Sequence, residues 1–128
     1  MATGKPSRLA GLALREGLYE DTGGYCSYCC RKLWPINYPY PARYENRRLV
    51  ATIDHKHPRS RGGTWDYENL AICCAQCNSL KGDLTLAEFE EEVAWAIEND
   101  VPLKRRGNGY MAIFYSNEIA RTARSSVG

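Results

Sequence analysis

Between Ser7 and about Glu20, the apolar positions Leu9, Leu12 and Leu18 sit among good helix formers, and Ser7 offers an N-capping hydroxyl. This predicts a helix, ended by the turn-forming run Asp21-Thr22-Gly23-Gly24. Tyr25 to Leu33 reads as a compact knuckle with short strands. Pro35, Pro39 and Pro41 then rule out a long helix over Trp34 to Tyr44 and argue against a central strand, so this stretch is read as an ordered inserted loop. Leu49 to Ile53, with Val50 and Thr52, predicts a strand. Pro58 and Gly62-Gly63 break the chain into a loop, and Trp65 to Ile72 supplies the returning strand. Thr85-Leu86-Ala87-Glu88 has the form of a capping box, followed by Leu86, Phe89, Val93 and Ile97 at helical spacing, so a helix to about Glu98 is expected. Trp95 falls opposite that stripe, and its expected cover is the C-terminal segment around Met111, Ile113 or Phe114, which the pattern leaves open between strand and helix.

A length of 128 residues and a 44% hydrophobic content suit one globular domain with a modest core. No apolar run approaches a membrane span, and the first residues lack an apolar signal core, so a cytoplasmic protein is expected. The net charge of +2 says little about partners, but its distribution says more. Basic residues gather at Arg43, Arg47 and Arg48, at Arg59 and Arg61, and at Lys104-Arg105-Arg106, whereas Glu88, Glu90, Glu91 and Glu92 form an acidic run. A basic and an acidic side would orient phosphate on the domain; scattered solvated charge is the plainer reading.

The six cysteines fall in two groups, Cys26, Cys29 and Cys30, then Cys73, Cys74 and Cys77. In a reducing compartment such pairs read as a metal site rather than as disulfides. Cys26 with Cys29, and Cys74 with Cys77, have the spacing at which two thiolates converge on one face of a tetrahedral zinc. Cys30 and Cys73 leave the register open, since Cys26 with Cys30 or Cys73 with Cys77 are looser alternatives; otherwise they are small buried residues or spare thiols. Four thiolates leave no position for water, so this zinc is structural. About 44 residues separate the pairs, more than in a zinc ribbon, which leaves room for a functional segment between them.

That segment carries Asp54-His55-Lys56-His57-Pro58, Gly62-Gly63 and Asn69-Leu70, and the second pair continues as Cys77-Asn78 and Lys81-Gly82. In this order, from Tyr25 to Gly82, the pieces closely resemble the HNH endonucleases with a ββα-metal core. The resemblance implies hydrolysis of DNA phosphodiesters with one divalent ion, magnesium or manganese, leaving 5′-phosphate and 3′-hydroxyl ends. It implies Asp54 and Asn78 as the ion's ligands, both offering hard oxygens. His55 becomes the general base, and Asn69 closes the loop between the strands and helps orient it. Lys81, Arg59 and Arg61 are expected to meet phosphate, and Arg47 and Arg48, with Trp34, Tyr38, Tyr40 and Tyr44, offer a further DNA surface. More often such aromatics pack their loop onto the domain. His57 would share a face with His55 if the strand continued that far, but the family often has an apolar residue there, so a non-essential role is expected. Asn78 differs from the histidine common at its position and has a rival reading as a helix N-cap.

The expected fold is therefore a small zinc-stapled α+β domain. An N-terminal helical segment (1–24) and a C-terminal helix and tail (83–128) flank a ββα-metal, or His-Me finger, core (25–82). No sequence-reading element is identified, so weak specificity or direction by a partner is expected. The resemblance places such a chain in phage or bacteria, alone or within a larger packaging or restriction machine. A non-catalytic zinc module that binds nucleic acid or protein is the alternative, and it has no use for Asp54, His55 and Asn78 together. A thiol redox protein would carry reactive pairs without zinc.

Overall fold

The computed structural model describes residues 4–105 and 108–119. Helix α1 (Arg8–Asp21) starts as predicted, with the Ser7 side chain accepting from Ala10 N, and ends at Gly23 and Gly24, both at positive φ. Its docking differs from the pattern. Leu9 is 78% exposed and Leu12 is also exposed, while Leu18 is buried, Leu14 packs on the core and Arg15 donates to Ala51 O. The helix thus attaches through its C-terminal half and projects its start into solvent.

An isolated bridge between Tyr25 and Lys32 closes the first knuckle. The Pro-rich insert is irregular, as expected, and is held by Trp34 Nε1 donating to Pro39 O and by an edge-on Trp34–Tyr38 contact. A short helix α2 (Tyr44–Arg47) follows, which the pattern did not announce. Strands β1 (Ala51–His55) and β2 (Leu70–Cys74) form an antiparallel pair, with Ala51 opposite Cys74 and His55 opposite Leu70. Both strands begin later than the apolar pattern suggests. Residues Tyr67–Asn69 instead form a 3-10 turn before β2.

Helix α3 (Ala75–Lys81) leaves β2 directly, capped by the Cys74 sulfur, so Asn78 lies inside a helix and the N-cap reading of it is corrected. Helix α4 (Leu86–Glu98) carries the predicted capping box in both directions. Strands β3 (Leu103–Arg105) and β4 (Asn108–Ile113) make a hairpin, and residues 115–119 form a helical turn, which settles the C-terminal segment as strand followed by helix. That segment does not cover Trp95, which is 59% exposed. Ile113 and Tyr115 are buried in the core instead, and Tyr115 meets Phe89 edge-on. The expectation at Arg106 lies outside the described residues.

Candidate active site

The core is closed by sulfur. Cys26, Cys29, Cys74 and Cys77 are buried, and their Sγ atoms all lie within 4.8 Å of one another. Cys29 Sγ and Cys74 Sγ are 3.9 Å apart. Zinc–sulfur bonds of about 2.3 Å in a tetrahedron imply an edge of about 3.8 Å, so the four donors fit zinc. The register left open by the sequence is thereby decided: Cys30 and Cys73 stand outside the cluster. Backbone N–H groups of Tyr28, Cys74 and Cys77 donate to the sulfurs at 3.3–3.4 Å. Arg31 adds a charge, donating to Cys29 Sγ at 3.1 Å and to Cys74 Sγ at 3.4 Å, and the Tyr115 hydroxyl lies 3.2 Å from Cys77 Sγ. Such outer contacts orient ligands and balance thiolate charge.

One end of β1 and the middle of α3 build the second site. Strand alternation puts Thr52 and Asp54 on the face under α3. There Thr52 Oγ1 donates to Cys73 O and so accepts from Asn78 Nδ2 at 3.0 Å, while the other Asn78 amide hydrogen reaches Ile53 O at 3.4 Å. These partners fix the amide orientation and leave the Asn78 carboxamide oxygen as its uncommitted end. Asp54 is buried, and its Oδ2 accepts from the Tyr28 hydroxyl at 2.6 Å.

Lys81, one helical turn beyond Asn78, differs most from expectation. Its side chain is 0% exposed, and Nζ lies 3.1 Å from Asp54 Oδ2, 3.4 Å from Asp54 Oδ1 and 2.9 Å from His55 O. A buried ammonium so paired is turned toward the carboxylate, not toward a phosphate outside. The physical reason is that an isolated buried carboxylate is costly, and the lysine offsets it.

His55 is the last residue of β1, and its ring stands edge-on to Trp65 at 4.4 Å. Burial pushes its imidazole below the ordinary histidine pKa, with the Asp54 charge opposing. Its Nε2 is buried and has no hydrogen-bond partner. His57 lies beyond the strand, exposed, with Nε2 2.8 Å from Arg61 O, so the parity that would have paired it with His55 does not arise. Asn69 clamps the intervening loop: Oδ1 accepts from His57 N at 2.9 Å, and Nδ2 donates to His57 O at 3.2 Å and Thr64 O at 2.9 Å. Gly63 is required by the same closure, because a Cβ there would sit 1.7 Å from His57 O.

Asp54, His55 and Asn78 line one open cleft of about 320 Å³, together with Arg59, Ser60 and Asp83. The larger apolar cleft of about 650 Å³ between α1, β2 and α4 includes none of these three. Three residues with a carboxylate, an amide oxygen and an imidazole line this one opening, a set of side chains suited to a hard divalent ion beside a proton acceptor. Residues 42–84 match the family described as HNH endonuclease. This segment carries the likeness to HNH endonucleases. The match spans β1, the clamped loop, β2 and α3, and includes Cys74 and Cys77, while Cys26 and Cys29 lie before it. No match was found among the curated proteins.

The remaining predicted site residues lie within this matched segment. Arg59 borders the cleft and donates to Gly63 O at 3.3 Å. Arg61 is exposed but forms an ion pair with Glu88 of the α4 capping box. Arg47 and Arg48 are exposed on and just after α2, where Arg47 donates to Pro41 O and lies over the Tyr40 ring. Tyr28, Trp65 and Thr52 were not singled out from the sequence. Tyr28 alone carried a signal, its place between two zinc ligands. Among the described residues, no helix is long and apolar enough to cross a membrane.

Proposed function

We propose that this chain is a metal-dependent endonuclease that hydrolyses DNA phosphodiester bonds. The observation that carries the reading is that His55, whose buried Nε2 has no partner, lines the same cleft as Asp54 and Asn78. A buried polar atom without a partner is costly, and such groups persist where a substrate or water completes them.

In this reading His55 accepts the proton of the water that attacks phosphorus, and its neutral state near pH 7 suits that task. Asp54 and Asn78 hold magnesium or manganese. When bound, that ion supplies positive charge for the phosphorane and for the leaving oxygen. Asn69 keeps the 57–64 loop closed and so fixes the strand end that bears His55. Arg59, and Arg61 once released from Glu88, meet neighbouring phosphates; Arg47 and Arg48 extend that contact along the backbone. Contacts of this kind position DNA without reading bases, consistent with weak specificity or direction by a partner, such as a phage packaging or restriction assembly. The products carry 5′-phosphate and 3′-hydroxyl ends.

The test is nicking of supercoiled plasmid by the zinc-loaded chain with added magnesium or manganese. Ion-dependent nicking that is lost in folded Asp54→Ala and Asn78→Ala variants supports the reading. A wild-type chain that binds plasmid and never cuts it would favour a non-catalytic zinc module.

A further inference from the structure

A metal ligand that is buried must be held as well as offered. Resting on the reading of Asp54 as an ion ligand, we propose that Tyr28 is a positioning residue for the catalytic ion and joins the structural zinc to it. Its hydroxyl donates to Asp54 Oδ2 at 2.6 Å, the shortest contact that carboxylate makes. The Lys81 ammonium favours the same oxygen, at 3.1 Å against 3.4 Å for Oδ1. Together they load Oδ2 and leave Oδ1 as the less committed oxygen of a residue that lines the cleft with Asn78.

Tyr28 itself is placed by the zinc knuckle. It lies between Cys26 and Cys29, its own N–H donates to Cys26 Sγ at 3.4 Å, and Ser27 N, just before it, donates to Ile72 O on β2 at 3.0 Å. Its ring is fixed edge-on against Phe89 at 5.3 Å. A rigid turn therefore carries the hydroxyl to a carboxylate from another part of the chain. Because packing fixes the ring independently of the hydroxyl, Tyr28→Phe removes the hydrogen bond while keeping the ring contact. Partners of metal ligands that lie one bond further out typically set affinity by about 10- to 100-fold.

The experiment titrates manganese into the zinc-loaded full chain, following free ion by electron paramagnetic resonance, for wild type, Tyr28→Phe and Asp54→Ala. Zinc content and thermal unfolding are recorded alongside. The expected result is that Tyr28→Phe keeps its zinc and fold but binds manganese about 10- to 100-fold more weakly. The manganese concentration for half-maximal nicking should rise in parallel, with a smaller change in rate at saturating ion. Unchanged manganese affinity in Tyr28→Phe, with binding lost in Asp54→Ala, would overturn the role of Tyr28 and leave the nuclease reading standing. No manganese binding by wild type, or binding that survives in Asp54→Ala, would overturn both.

Discussion

The two polar centres of this small domain share one knuckle, the first through Cys26 and Cys29 and the second through Tyr28, and differ in how completely their atoms are used. Around the four sulfurs, backbone N–H groups, Arg31 and Tyr115 supply partners from several segments, and every ligand is buried. Around Asp54, His55 and Asn78, the support is just as dense on one side and ends at the cleft. Oδ2 of Asp54 and the Asn78 amide hydrogens are occupied, whereas His55 Nε2 has no partner. A saturated site can hold a fold but has nothing left to offer a substrate. A site that leaves one buried nitrogen unsatisfied pays in stability for a group that can take a proton.

The comparison breaks most visibly at the sulfurs. Structural zinc sites contribute about 10–16 kcal/mol of apparent binding free energy, which for a domain this small is folding free energy. Cys29→Ser is expected to lose zinc and cooperative unfolding together, read by metal content and circular dichroism. At Lys81 the two centres should separate. Removing one partner of a buried pair costs about 3–5 kcal/mol, so Lys81→Met should lower the unfolding midpoint sharply while the folded fraction keeps its zinc. If Lys81→Met is as stable as wild type, Asp54 is not held as described. Asn69→Ala strips partners from His57 N, His57 O and Thr64 O, for an expected loss of about 1–3 kcal/mol in denaturant unfolding. Nicking should fall further than that stability change alone explains, because the loop adjoins His55. Thr85→Ala, which removes the hydroxyl cap of α4, should cost about 1 kcal/mol in thermal unfolding and leave zinc content unchanged.

How much of this could be read from the chain depends on the range of the interaction. The α4 boundaries were legible because a capping box and an apolar stripe are local. The zinc pairs were legible because coordination chemistry demands particular residue types at particular spacings, and the resemblance to HNH endonucleases is what pointed to Asp54, His55 and Asn78, which line one cleft. Lys81, expected at phosphate, is paired with Asp54, and nothing in Cys77-Asn78-Ser79-Leu80-Lys81 announces that α3 aims this ammonium there. Tyr28 was passed over for the same reason: its hydroxyl acquires a purpose when the knuckle closes on β1. Leu9 and Leu12 looked like core because helical periodicity does not tell which part of a helix is covered. Strand ends shifted where Asn69 uses its side chain to close a loop that an apolar pattern would have continued as strand.

In the proposed function the sulfur site holds the domain while the His55 cleft cuts DNA. This is tested most directly by comparing plasmid nicking by wild type and His55→Ala, each purified with its full complement of zinc. His55→Ala is expected to keep its zinc and a cooperative unfolding transition while nicking falls by about 10²–10⁴-fold. Nicking that continues in His55→Ala at the wild-type rate would contradict it.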